Sequence, residues 1–227
     1  MTGTIVNVCA IIAGTLTGWL LHGGIGAKYR EVLYNGLGLA SVAIGLNAVI
    51  GRLPASHYPV LFIVALAVGG VAGTALDVQG RFNRLTERLA KGSPNLGEGL
   101  SLAVLLYCVG PLSMLGPVVS ALKGDNTLLF TNATLDFVSS TVFASTYGLG
   151  MVLAAPVLLV WQGMFYVVAL ASGHAVSDAL MGELLIVGGV LIAASGLSLL
   201  RVKDCKVLNL LPALLVPVLW FIVKSFF

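Results

Sequence analysis

Charge is what this chain has least of. Its 227 residues include 12 Lys and Arg and 9 Asp and Glu. Charged residues are 9% of the sequence, against about 25% in an average soluble domain. With 58% of residues hydrophobic, a soluble globule of this size could not hold water around itself. An integral membrane protein is the economical reading. The net charge is only +3, and the basic residues lie between apolar runs rather than in one patch. A nucleic-acid partner is therefore not expected.

Cysteine is scarce too. Cys9, Cys108 and Cys205 show neither a CxxC pair nor a metal-ligand spacing. Cys9 and Cys108 fall in apolar runs, as small packing residues. Cys205 lies in a basic loop assigned below to the cytoplasm, where a disulfide is not expected. His22, His57 and His174 sit near the ends of apolar runs and form no metal spacing. There is no GxSxG, HExxH, P-loop or Rossmann fingerprint. No enzyme activity, cofactor or metal is expected. The N-terminus lacks the positive region of a cleavable signal and reads as a retained first span.

What the chain does have is apolar runs of membrane length. A span needs about 20 residues to cross about 30 Å. Eight candidates run over Gly3–Leu21, Val32–Ile50, Tyr58–Leu76, Gly99–Leu122, Leu128–Gly148, Gly150–Ala171, Glu183–Leu200 and Val207–Val223. The expected fold is an all-α polytopic membrane protein with a single transmembrane domain over 1–227. Alternating the connectors places Lys28, Arg30, Arg81, Arg84, Arg88, Lys91, Arg201, Lys203 and Lys206 on one side, and Arg52, Lys123 and Lys224 on the other. The basic excess marks the first side as cytoplasmic and both termini as outside. The connector from Asp77 to Glu98 carries Val78, Phe82, Leu85 and Leu89 at helical spacing, with Arg81, Arg84, Arg88 and Lys91 on other faces. It predicts an amphipathic helix over 78–92, lying on the cytoplasmic surface or solvated there, and closed by Gly92, Ser93 and Pro94.

Two kinds of residue stand out inside the runs. Gly14 and Gly18, and Gly69 and Gly73, sit one helical turn apart and let helix backbones approach closely. They serve packing within one chain and leave a homodimer open. Gly110-Pro111 and Gly116-Pro117 predict a kinked or interrupted fourth span, and Pro212 and Pro217 a second break in the eighth. Broken backbone in a membrane is tolerated only inside protein or beside a water-filled cavity.

Asp136 is the sharper signal. It lies about 12 Å along a helix begun at Leu128, near the middle of the bilayer. Asn132, Asp136, Ser139, Ser140 and Phe143 share one helical face. An acid at that depth is costly, so it needs a partner, a cavity or a pathway. It reads either as a substrate or cation site lined by Asn132, Ser139 and Ser140, or as a structural acid. Glu183 opens the seventh span, as an exposed residue suited to a helix N-terminus or as part of a site. Asn7, Asn35, Asn47 and Asn209 are neutral groups that serve a cavity or bond across helices.

Gly38–Asn47 also aligns with Gly189–Ser198 at constant offset, matching Gly38 with Gly189 and Gly45 with Gly196. The two spans cross in opposite directions, so the repeat would be inverted. It would relate spans one to three to spans six to eight, a transporter architecture with its site at the midplane.

Several motifs together carry a resemblance. They are Gly3-Thr-Ile-Val-Asn7; Gly69-Gly70 with Gly73, Leu76-Asp77, Gly80-Arg81 and Arg84-Leu85; Leu135-Asp136; Ala144-Ser145-Thr146 with Gly148 and Gly150; Glu183 with Val187-Gly188-Gly189; and Asn209-Leu-Leu-Pro212-Ala-Leu-Leu215. Almost end to end, the chain resembles the YqgA/YdfK-like bacterial inner-membrane family called domain of unknown function 554. The resemblance implies a multi-pass membrane protein and brings no substrate or catalytic residue with it.

The expected function is a small-solute or ion secondary transporter of the bacterial inner membrane. Its site would be Asp136, Asn132, Ser139, Ser140, Glu183 and Asn47, opposite the helix break at Gly110, Pro111, Gly116 and Pro117. Arg81, Arg84, Arg88 and Lys91 would meet the membrane surface. The expected partners are the lipid bilayer and an unknown solute or ion. The alternatives are a channel or pore with the same lining, and a non-transport scaffold or regulator in which Asp136 is sealed in dry packing.

Overall fold

The structure is a computed structural model in which residues 1–21, 26–89, 100, 103–104, 106–108, 111–172 and 177–224 are described. Among them every regular element is helical. In chain order the α-helices are α1 (Thr2–Leu20), α2 (Ala27–Arg52), α3 (Leu61–Ala75), α4 (Val78–Leu89), α5 (Pro111–Lys123), α6 (Thr127–Tyr147), α7 (Ala154–Ser172), α8 (Asp178–Leu199), α9 (Val207–Leu210) and α10 (Leu215–Lys224). Helical residues 106–108 precede α5.

Helices or helical segments occupy all eight predicted places, but length and composition single out six as able to cross a membrane. These are Thr2–Leu20, Glu31–Ala55, Leu106–Lys123, Leu149–Ala171, Asp178–Leu199 and Val207–Lys224. α3 is apolar but has only 15 residues, about 22 Å of helix at 1.5 Å per residue. α6 has 21 residues, and it is polarity, not length, that sets it apart from the six.

The helices gather into two compact units, each discontinuous in sequence. The first holds Met1–Tyr34 and Phe82–Gly173; the second holds Asn35–Arg81 and His174–Phe227.

In the first unit α1 lies along α6, and glycine sets the distance. A side chain on Gly3 would meet Leu129 and Asn126, one on Gly14 would collide with the Phe137 carbonyl, and one on Gly18 with the Thr141 carbonyl. The partners advance in step along both helices, so α1 and α6 run parallel. The buried stripe of α1, which includes Gly3, Thr4, Asn7, Ile11 and Gly14, is thereby pressed against α6. The Asn126 side chain ties the start of the seam, accepting from Gly3 N–H at 3.2 Å and from the Ser120 hydroxyl at 2.8 Å. α5 packs on α6 and α7. It continues as a helix through Pro117, so the chain does not break at Gly116-Pro117. Pro111 opens α5, and Gly110 lies outside the described residues.

In the second unit α2 crosses α8 through four glycines. Gly38 meets the Gly196 carbonyl and Gly196 the Gly38 carbonyl; Gly45 meets Gly189 and Gly189 meets Gly45. The order reverses, so the pair is antiparallel, and it is reciprocal. α3 presses Gly69 on Ala213 and Gly73 on Asn209. Its partner is the expected broken helix: α9, a 3-10 turn over Leu211–Leu214 that contains Pro212, then α10. Proline lacks the amide proton that would continue the α-helical ladder.

The amphipathic connector forms α4, with Arg81 and Arg84 exposed. The Arg88 side chain, Lys91 and the Gly92–Pro94 stop lie outside the described residues.

Candidate functional site

The polar face expected on α6 is buried. Asn132, Asp136, Ser139, Ser140 and Phe143 all face the interior, and Asp136 is 2% exposed. Its carboxylate Oδ2 accepts from Asn132 Nδ2 at 2.9 Å, one turn away on the same helix. Ser139 turns its hydroxyl onto the Leu135 carbonyl at 2.8 Å, which leaves it no proton to offer a ligand. Ser140 instead bonds the Tyr107 hydroxyl at 2.8 Å, linking α6 to the helical segment before α5.

Three residues not assigned to the site from the sequence complete it. Asn7 of α1 is fully buried, and its side chain reaches the Asp136 carboxyl from the neighbouring helix. Tyr107 and Cys108 lie within electrostatic reach of the same carboxyl. Phe143, one turn from Ser139 and Ser140, is ringed by Tyr34, Tyr107 and Tyr147, each with its centroid 6.4 Å from the Phe143 centroid. The signal for Asn7 was present: it shares a buried stripe with Gly3 and Gly14. Its partner helix is far away in sequence, and local spacing does not specify such pairings.

The cluster is neutral apart from Asp136. No Lys, Arg or His is buried among the described residues. It is also incompletely satisfied. The Thr4 and Thr15 hydroxyls of α1 have no hydrogen-bond partner. Further along the unit, Gln162 Nε2 donates to Ser113 Oγ at 3.0 Å while Gln162 Oε1 is left without a partner. Buried polar atoms usually find partners, and each one left over costs about 1–3 kcal/mol.

The other expected site residues fall in the second unit. Glu183 is 2% exposed, not an exposed helix-end group. Its Oε1 accepts from Ser56 Oγ at 2.5 Å, and Ser56 Oγ accepts from Tyr58 N–H at 3.0 Å. Asn47 is exposed on α2. The structure thus brings Asp136, Asn132, Ser139 and Ser140 together on α6 of the first unit, while Glu183 and Asn47 belong to the second unit. Among the described residues no group of three or more His, Cys, Asp or Glu could hold a metal.

Comparison with known proteins finds relatives along almost the whole chain. An uncharacterized membrane protein of Bacillus subtilis (strain 168), YdfK, is 49% identical over 227 residues, covering 100% of this chain and 98% of that protein. YqgA of Escherichia coli (strain K12), an uncharacterized protein, is 27% identical over 221 residues, covering 94% of this chain and 93% of its own length. No solved structure matches. The family model described as "Protein of unknown function (DUF554)" matches residues 2–222, and with that coverage the chain belongs to this family of multi-pass helical membrane proteins.

Proposed function

We propose that the chain is a secondary transporter of the bacterial inner membrane for a small solute or ion, with Asp136 as the group that binds substrate or coupling ion. One observation carries the reading: a carboxylate sealed between α1, α6 and the segment before α5, with neutral neighbours and no buried basic partner among the described residues. An intramembrane acid is expensive and ordinarily pairs or serves a pathway. A purely structural acid would have its surroundings satisfied. Here the buried Thr4 and Thr15 hydroxyls on the face of α1 are not.

The same reading takes the chain as eight crossings, and the seam between α1 and α6 supports that count. Four crossings separate the N-termini of these helices if α3 spans, and three if it does not. Only the even number leaves them parallel, as their glycine contacts require. The reciprocal contacts of Gly38, Gly45, Gly189 and Gly196 support an inverted repeat, because aligned residues that pack on each other's counterparts are what a local two-fold axis produces. The side bearing Lys28, Arg81, Arg84, Arg201, Lys203 and Lys206 is then cytoplasmic and both termini lie outside.

The test is charge movement in proteoliposomes on a solid-supported membrane, challenged with sodium jumps, proton jumps and a panel of small solutes. Saturable transient currents are expected from the wild type and none from Asp136→Asn, with the variant still monodisperse. Currents of wild-type size from that variant would remove Asp136 from the mechanism. Sustained, non-saturating conduction would favour a pore. The closure of Asp136 from solvent specifically favours a second reading, a scaffold or regulator with a structural acid. That reading expects no currents from either protein.

A further inference from the structure

We infer that Ser113, Gln162 and Thr4 form a water-binding layer in the first unit, through which Asp136 is reached from the end where α1 begins. This rests on the transport reading for its purpose, since it supplies the access that a sealed carboxylate needs.

Contacts fix the levels. A side chain on Gly116 would meet Leu129, and Ser120 bonds Asn126 at 2.8 Å. Residue numbers rise on α5 as they fall on α6, so these two helices are antiparallel. Ser113 lies one turn beyond Gly116 and Asn132 one turn beyond Leu129, each about 4.5 Å further from the exposed loop at Asp125. Gln162 of α7 donates to Ser113 Oγ at 3.0 Å and so shares that level. The start of α1 passes the same place. Gly3 abuts Leu129, and a side chain on Gly163, next to Gln162, would meet Met1. Thr4 follows Gly3 and lies between the levels of Leu129 and Asn132. From there Asn132 donates to Asp136 Oδ2 at 2.9 Å, so one turn of α6 separates the layer from the carboxylate.

The chemistry of the layer suits water. Ser113, Gln162 and Thr4 are each 0% exposed. Gln162 Oε1 and Thr4 Oγ1 have no partner in the protein. Turning the Gln162 amide over would exchange its oxygen for its nitrogen as the atom left over, so one remains either way. None of the three carries a charge to hold an ion. Water both donates and accepts, and so satisfies an amide of either orientation and a hydroxyl. Packing alone does not call for these groups, because an apolar side chain of similar size would avoid the cost of an unpartnered polar atom. Leu129 closes the layer toward the exposed loop: it is 0% exposed, and its side chain lies against both Gly3 and Gly116.

Thiol reactivity tests the layer without measuring transport. Full-length protein carrying Cys9→Ser, Cys108→Ala and Cys205→Ser is reconstituted in liposomes, and single thiols are introduced by Ser113→Cys, Thr4→Cys or Val160→Cys. Val160 is 73% exposed and lies two residues before Gln162 on α7, so it marks nearly the same depth on an outward face. A charged methanethiosulfonate reacts with the thiolate, which forms where water reaches the sulfur. Intact mass is expected to show modification of the Ser113→Cys and Thr4→Cys proteins but not of Val160→Cys. Leu129→Ala should speed it. Adding Gln162→Leu to Ser113→Cys removes a partner of the water and should slow modification about tenfold. Modification of Ser113→Cys no faster than of Val160→Cys would overturn the inference, as would a rate unchanged by Gln162→Leu. If Ser113→Cys does not fold, Thr4→Cys against Val160→Cys decides alone. The two readings fail separately. Modified thiols without Asp136-dependent currents keep the layer and remove the transporter, while such currents with unreactive thiols do the reverse.

Discussion

The two units use the same device, helices joined through glycine, in opposite senses. α2 and α8 are antiparallel, and each glycine meets a glycine. Like packs on like, and what results is a seam of backbone and apolar side chains. α1 and α6 are parallel, so unlike faces meet. That seam accommodates a polar stripe on one helix and a carboxylate on the other. The buried acids differ in the same way. Glu183 receives a hydroxyl proton from Ser56, and that hydroxyl accepts in turn from Tyr58 N–H. Asp136 receives an amide from Asn132 on its own helix and lies in a seam where the Thr4 and Thr15 hydroxyls stay unpaired. Burial alone does not distinguish the two acids; the state of their neighbours does.

The sharpest way to break the comparison is at the seams. Gly18→Ala drives a methyl into the Thr141 carbonyl, and Gly45→Ala drives one into the Gly189 carbonyl. Neither obstacle is a flexible side chain. Each change is expected to cost about 1–3 kcal/mol, read as a lower Tm. Gly36→Ala meets nothing within 4 Å and should stabilise by up to about 1 kcal/mol through helix propensity. Equal effects at all three positions would discard the seam account.

Next come the acids. Ser56→Ala removes the only hydrogen bond described to Glu183 and should cost about 1–3 kcal/mol, while Glu183→Gln can keep that bond and should shift Tm less. Currents in proteoliposomes should survive Glu183→Gln. Their loss would place Glu183 on the same footing as Asp136.

The smallest effect lies at the entrance to α6. Asp125 is exposed, and its Oδ1 accepts from the Thr127 hydroxyl at 2.7 Å and from Thr127 N–H at 2.8 Å. These bonds, the hydroxyl first, hold its carboxyl below the usual range. A depressed carboxylate contributes stability above its unfolded pKa and loses it as pH falls through the folded value. Wild type and Asp125→Asn should therefore differ slightly in Tm near neutral pH and converge in acid. Solvent screening keeps the difference small.

Much of this organisation could be read from local pattern. The helical face of Asn132, Asp136, Ser139 and Ser140 followed from 3.6-residue spacing, and all four are buried. The break at Pro212 followed from a missing amide proton, and α4 from alternating apolar and basic positions. What eluded the sequence is long-range. Nothing local pairs Asn7 with Asp136 across more than a hundred residues, or Tyr107 with Ser140, because neither partner alters the spacing of the other. Asn47 shows the converse. A polar residue within an apolar run suggested a lining group, yet it is exposed on α2; one residue's polarity does not say which way its helix is turned. The length rule also had a limit, since α3 falls short of a full span by count while its neighbours do not.

Asn209 has a mechanical consequence. Its main chain fills the space that Gly73 leaves on α3, and its side-chain oxygen accepts from Gln79 N–H, 2.9 Å away, in the first turn of α4. The basic helix α4 is thus tied to the interrupted helix through this residue. A displacement of α4 is therefore a load delivered three residues before Pro212, where the missing amide proton already interrupts the ladder.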